Sequence, residues 1–276
     1  MKQMTLEEIS KAAASGAFRK IPVSREIYSD IRTPVETLKV LQGVSSHCYM
    51  LESVEDKKQW GRYTFLGYDP SLELTCVNGN LTITADAAEM KKVEDIPESH
   101  EEQLPTGQIR LTAKTAHPGA VIKTLIEKNK SPKIATLPTF TGGLVGYFGF
   151  ETIGYIEQRL AQWDKKDELG TPDVMLMLAD EVAVFDNLKG RLYLIVHADP
   201  SRPQAYAEAS RRLDQLAFRL RQGGVSYPQL LQPAALDESD FKSSFTREEY
   251  EAMVRKAQEY ILAGDIFQVV PSQRLS

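Results

Sequence analysis

The sequence predicts an α+β protein built largely on antiparallel sheet, and three observations carry that expectation. Leu72, Leu74 and Cys76 alternate with Glu73 and Thr75 up to Asn78-Gly79, after which Leu81-Thr82-Ile83-Thr84 runs back. Period-two alternation around Asn-Gly is the strongest short hairpin signal a chain can carry. Apolar runs at 174–179, 182–185 and 192–196 are strand-sized and bounded by turn residues, the composition of strands covered on both faces. Amphipathic helical stretches with clear starts lie between and after these runs.

From the N-terminus, Thr5-Leu6-Glu7-Glu8 is a capping-box pattern, and Leu6, Ile9 and Ala13 share a face, so a helix is expected over 5–17. Ile21-Pro22-Val23 reads as an extended connector, because proline turns its predecessor away from helix. Thr33-Pro34-Val35-Glu36 combines a cap, a proline at the first helical position and a glutamate three residues after the cap. Val35, Leu38 and Leu41 form the expected apolar stripe of that helix, and Gly43 ends it.

The acidic stretch 85–105 reads as an exposed connector, followed by a helix from Pro118 to Asn129 with Val121, Ile122, Leu125 and Ile126 on one face. Thr139 to Phe150 is glycine-rich, yet it has neither Gly-x-Gly-x-x-Gly nor Gly-Lys-Ser/Thr, so a phosphate cradle is not supported. A buried strand whose missing β-carbons admit neighbouring rings or a close backbone crossing is expected instead. Asp180-Glu181 interrupts the apolar run that precedes it and resembles a paired-carboxylate site, but with no partner in view it reads as a strand end facing water. Gln204 to Gln222 is an amphipathic helix stopped by Gly223-Gly224, and 228–242, with Pro228 and Pro233, is a linker. Thr246-Arg247-Glu248-Glu249 opens the last helix, with Tyr250, Met253, Val254, Ala257 and Ile261 expected to face inward. Gly264 closes it, and Asp265 to Arg274 is expected to be a strand.

Composition narrows the function classes. The chain has 276 residues, 42% hydrophobic and 26% charged, with a net charge of −5. That is an ordinary globular composition and gives no electrostatic reason to expect nucleic acid. Cys48 and Cys76, both in strand-like runs, fit free thiols in a reducing compartment. The N-terminus lacks the apolar core of a signal peptide, and the longest wholly apolar run is too short to span a bilayer. A cytoplasmic protein is expected. The four histidines are scattered, so no metal cluster is expected in this chain.

The densest recognition chemistry lies from Met50 to Pro70. An apolar run ending at Leu51 meets Glu52 and Ser53, crosses a charged loop, and re-enters a strand through Trp60, Gly61 and Arg62. Glu52 can pair with an ammonium and Arg62 can fork onto a carboxylate, which together would hold the two ends of an amino acid. A wet, charged hairpin loop accounts for the same residues, and on these residues alone both readings stay open.

Three segments in order change the balance. Met50-Leu51-Glu52-Ser53-Val54 with Trp60-Gly61-Arg62-Tyr63-Thr64-Phe65, Gly142-Gly143-Leu144-Val145-Gly146-Tyr147-Phe148 with Pro172-Asp173, and Ala263-Gly264-Asp265-Ile266-Phe267-Gln268-Val269-Val270-Pro271-Ser272 closely resemble anthranilate synthase component I. The resemblance runs over essentially the whole chain. It implies two mainly antiparallel β-sheets packed together with helices outside. It also implies a large subunit that converts chorismate and ammonia to anthranilate and pyruvate with Mg²⁺, in a hetero-oligomer with a glutamine amidotransferase subunit that supplies the ammonia. L-tryptophan is the expected feedback inhibitor, with Ser53 as the hallmark contact, Leu51 and Glu52 beside it, and Arg62 added from the charge argument above.

Family members continue for a further two hundred or so residues that carry the magnesium ligands and most chorismate contacts. The resemblance therefore implies an N-terminal portion, inactive alone: 1–227 as the region of the tryptophan site, 228–242 as linker, and 243–276 as the start of the chorismate-binding catalytic region. Gln268 is the one catalytic-pocket position expected here. Isochorismate-forming relatives have a water-activating lysine there, whereas ammonia needs no such base. Aminodeoxychorismate synthase component I and a non-catalytic amino-acid-binding regulatory module are the alternative readings.

Overall fold

The computed structural model describes residues 7, 14, 18–53, 61–93, 96–161, 169–202, 204–224 and 237–276. Apart from Glu7 and Ala14, the helix expected over 5–17 lies outside them, as do residues 228–236 of the expected linker. Chain contacts divide the protein into two units, Met1–Ser226 and Tyr227–Ser276.

The first unit holds two antiparallel sheets with helices. Its strands are β1 (Ile21–Tyr28), β2 (Cys48–Glu52), β3 (Tyr63–Tyr68), β4 (Leu72–Val77), β5 (Asn80–Ala85), β6 (His100–Gln103), β7 (Ile109–Lys114), β8 (Gly143–Phe148), β9 (Val174–Ala179), β10 (Glu181–Asp186) and β11 (Arg191–Ala198). One sheet runs β1-β11-β10-β3-β2 and the other β6-β7-β5-β4-β9-β8. The chain passes between the sheets twice with hardly a loop, after β3 and after β9.

The strongest sequence signals hold. Asn78 and Gly79 take positive φ of 49° and 78° and join β4 to β5, the left-handed pair that a two-residue hairpin turn needs. The runs at 174–196 are β9, β10 and β11. Helix α1 (Pro34–Gln42) starts with the expected capping box, Glu36 N–H donating to Thr33 Oγ1 at 3.2 Å. Its buried face is Thr37, Val40 and Leu41, while Val35 is exposed, so the core side is rotated from the expected Val35-Leu38-Leu41 stripe. Helix α2 (Ala87–Met90) is capped by the Asp86 carboxylate. Helix α3 (Pro118–Lys128) buries Ile122 and Leu125.

A short helix α4 (Gln158–Ala161) follows β8. The long helix α5 (Ala205–Gln222) buries Ala209, Leu213, Leu216 and Leu220. Together with α1 it covers one face of the first sheet, against Ile21, Val23, Leu66, Leu194 and Val196. A separate core forms where α3 covers Leu74, Ile83, Val174 and Leu176 of the second sheet. On the other face of the first sheet, Val182, Val184 and Ile195 pack with Phe65, Phe140 and Val145. At about 25 cal/mol per Å² of apolar area removed from water, such fully buried Leu and Ile side chains each stabilise the fold by roughly 1.5–3 kcal/mol.

Four expectations change. Ile21-Pro22-Val23 belongs to an eight-residue strand rather than a connector, because Pro22 sits on an edge strand, where a missing N–H is tolerated. Within 85–105, His100–Gln103 forms a fully exposed edge strand paired with β7; its charged residues blunt the edge rather than mark a loop. The glycine-rich strand β8 is also an edge, paired only with β9, so Tyr147, Phe148 and Phe150 are exposed rather than buried. The close approach does hold, since a β-carbon at Gly146 would overlap the Met175 carbonyl oxygen. Asp180-Glu181, expected to face water, is buried.

The second unit contains a 3₁₀ turn (Glu238–Asp240) and helix α6 (Arg247–Ala263). The helix has the expected capping box at Thr246 and Glu249, and Gly264 closes it with φ 81°. None of its residues is buried, so the expected inward face is at most partly covered. Asp265 to Arg274 is not a strand. Its end meets 242–244 through a single bridge, Ser243 to Leu275, and a strand needs a partner along its length to satisfy its amides. Among the described residues, no helix is long and apolar enough to cross a membrane.

Candidate functional site

β2 and β3 form an antiparallel pair at the edge of the first sheet, with Leu51 opposite Phe65 and Glu52 opposite Thr64. Opposed residues share a face, so Leu51 lies on the side of Tyr49 and Phe65, and Glu52 on the side of Met50 and Thr64. Ser53 follows the strand end. All three are exposed, and residues 54–60, including Trp60, lie outside the described residues. The pair packs closely at its other end: Gly67 leaves room for the Tyr49 ring, which a β-carbon there would overlap. Burial pushes the Tyr49 hydroxyl's pKa up, and that hydroxyl has no hydrogen-bond partner among the described residues.

Arg62 occupies a defined place at the end of this pair. Its Nε donates to Asp186 Oδ1 at 3.0 Å and its Nη2 to Oδ2 at 2.6 Å, while its guanidinium lies 4.8 Å from the centre of the Tyr63 ring. Asp186 is fully buried and also accepts the backbone N–H groups of Leu188 and Lys189 at 3.2 and 3.1 Å. Burial alone would raise the Asp186 pKa, but the Arg62 hydrogen bonds and these amides hold it below the usual carboxylate value. The fork that charge reasoning offered to a ligand carboxylate thus already grips one from this chain. The register explains why: Asp186 stands opposite Tyr63, the neighbour of Arg62.

Sequence reasoning missed a second cluster, at the corner where the sheets meet. Lys20 Nζ donates to Asp180 Oδ1 and Oδ2 at 2.6 and 2.7 Å and lies 3.0 Å from Glu89 Oε1. Ser71 also donates to Asp180. Glu181 accepts from the Tyr68 hydroxyl and from Arg212. Burial would raise the Asp180 pKa, yet Lys20, His197 and Ser71 together hold it down. Burial depresses the His197 pKa, with the Lys20 charge acting in the same direction and Asp180 opposing. Burial thus favours the neutral imidazole of His197, which lies against the Asp180 backbone carbonyl, with Nδ1 to oxygen 3.3 Å. The available signal was the placement of two adjacent acids between apolar runs; their partner Lys20 lies 160 positions away, beyond the reach of local patterning.

Gln268 lies in the second unit, exposed in an irregular stretch after Gly264. Among the described residues, no group of three or more His, Cys, Asp or Glu is placed to hold a metal ion.

A family model described as chorismate binding enzyme matches residues 47–276. The chain belongs to the chorismate-binding enzyme family. Within this family member, the match begins at His47 and so takes in the Leu51–Ser53 strand end, Arg62, the corner cluster except Lys20, and Gln268. Across 275 residues the chain is 39% identical to anthranilate synthase component 1 of Pseudomonas aeruginosa, covering 99% of this chain and 51% of that protein. Against anthranilate synthase component 1 of Neisseria meningitidis serogroup C it is 38% identical over 269 residues, covering 96% and 50%. A crystal structure of anthranilate synthase component I from Streptococcus pneumoniae TIGR4 aligns at 24% identity and a TM-score of 0.46, covering 91% of this chain and 48% of that one. The chain spans about half the length of the curated relatives it matches.

Proposed function

We propose that this chain serves in the large subunit of an anthranilate synthase. The complete enzyme would convert chorismate and ammonia to anthranilate and pyruvate in tryptophan biosynthesis, in the cytoplasm, with a glutamine amidotransferase partner delivering the ammonia. The observation that carries this reading is the 39% identity to anthranilate synthase component 1 across 99% of the chain, joined to the family match over 47–276.

The roles proposed for individual residues follow from their chemistry. Gln268 carries a neutral amide that can hydrogen-bond but cannot act as a base at neutral pH, which suits ammonia as its own nucleophile. Leu51, Glu52 and Ser53 are proposed to contact the feedback inhibitor L-tryptophan: Ser53 through its hydroxyl, Glu52 through the ammonium and Leu51 through apolar contact. Arg62 is proposed to act on that site through the strand end, since its guanidinium is engaged by Asp186. Mg²⁺ belongs to the proposal for the complete enzyme. The described residues present no ligand set for it.

Expression of the gene with whatever reading frame continues past Ser276, supplied with chorismate, ammonia and Mg²⁺, tests the proposal. Appearance of anthranilate and pyruvate is the expected result. Accumulation of 4-amino-4-deoxychorismate would replace the assignment with the aminodeoxychorismate reading.

A further inference from the structure

A cavity of about 640 Å³ in the first unit lies beneath the segment that links α3 to β8. Its volume is that of a small-molecule site. The walls are mainly apolar, with Leu125, Leu144 and Leu178 from the core under α3, and Leu137 and Phe140 from the core on the first sheet. Lys130 and Lys133 also line it, and both are exposed. No ion pair engages either lysine side chain among the described residues, in contrast to Lys20, Arg62, Lys92 and Arg212, whose charges are taken up by carboxylates of this unit. Ser131, between them in the chain, has a hydroxyl with no hydrogen-bond partner among the described residues.

We infer that this cavity binds a small monocarboxylate with an aromatic or similarly flat apolar body. The body would lie against Leu125, Leu137, Phe140 and Leu178, and the carboxylate would face the ammonium groups of Lys130 and Lys133. The composition decides the class. A wholly apolar ligand would leave the two lining cations unused, and an organic cation would be repelled by them. A highly charged phosphate ester would find two flexible point charges but no bidentate arginine fork and no glycine-rich cradle. Leu51, Glu52 and Ser53 are not among its lining residues, although Phe140 packs edge-on against Phe65, the cross-strand partner of Leu51; the inference does not depend on the chorismate assignment.

Calorimetric titration of the 276-residue chain with 2-naphthoate, and in parallel with uncharged 2-naphthol, tests the inference. Saturable one-to-one binding of naphthoate is expected, with naphthol weaker. The doubly substituted Lys130→Gln, Lys133→Gln chain should bind naphthoate about tenfold more weakly, as the loss of two solvent-exposed ion pairs implies. Both lysines are exposed, so this variant should fold normally, which a matching circular dichroism spectrum checks. Phe140→Ala is the second arm and should weaken both ligands. Absence of saturable naphthoate binding, equal binding of naphthol, or undiminished binding by the lysine variant would each overturn the inference.

Discussion

The Ser71 hydroxyl donates to the Asp180 carboxylate, and these two residues stand at the two points where the chain passes from one sheet to the other. Ser71 separates β3 of the first sheet from β4 of the second, and Asp180 separates β9 of the second from β10 of the first. Lys20, next to the start of β1, closes the corner by gripping both Asp180 oxygens. Residues far apart in sequence thereby clamp both crossings at one buried place.

Breaking this clamp should be costly. Lys20→Met leaves Asp180 buried without its counter-charge, and loss of one partner of a buried pair typically costs about 3–5 kcal/mol. Urea denaturation of the chain, followed by circular dichroism, should show a loss of that size. Lys20→Met combined with Asp180→Leu should recover much of it, because no lone charge is then left buried.

This corner and the Arg62–Asp186 pair together set an acid sensitivity in two steps. The depressed His197 pKa means that the unfolded chain takes up a proton first as pH falls below the free-imidazole value of about 6.5, so stability declines from there downward. The lowered pKa values of Asp180 and Asp186 add stability that is present above about pH 4 and lost as pH falls through their folded values. Urea midpoints measured from pH 8 to pH 3 should fall in both windows. His197→Gln should flatten the upper window and leave the lower one in place.

Arg62 is expected to act first on the fold and only through it on a ligand. Arg62→Ala leaves the fully buried Asp186 without its bidentate partner, and destabilisation of about 3 kcal/mol is expected. Arg62→Lys should recover part of the loss, since an ammonium supplies charge without the planar fork. Thermal denaturation of the three proteins orders them wild type, Lys, Ala.

The fold was legible where local chemistry is decisive. The Asn78-Gly79 turn, the runs of β9 to β11 and the capping boxes at Thr33 and Thr246 all need only neighbours in sequence. Legibility failed where distant partners decide. Pro22 and the charged His100–Gln103 run look unlike strands until β11 and β7 are alongside. Asp180-Glu181 looks wet until Lys20, Arg212 and Tyr68 arrive. Asp265 to Arg274 looks like a strand, but no partner runs along it among the described residues. At the candidate site the residue types were readable, while the engagement of Arg62 by Asp186, 124 positions away, was not.

The strand end at Leu51–Ser53 is proposed to report tryptophan level to an anthranilate-forming enzyme. Anthranilate formation by the complete enzyme, wild type and Ser53→Ala, measured by product fluorescence across a tryptophan titration, tests it most directly. The expected result is full inhibition of the wild type and at least a tenfold higher inhibitory tryptophan concentration for Ser53→Ala, as loss of one hydrogen bond to a charged ligand, about 1.4 kcal/mol, implies, with uninhibited turnover unchanged. Identical tryptophan inhibition of the two proteins would contradict it.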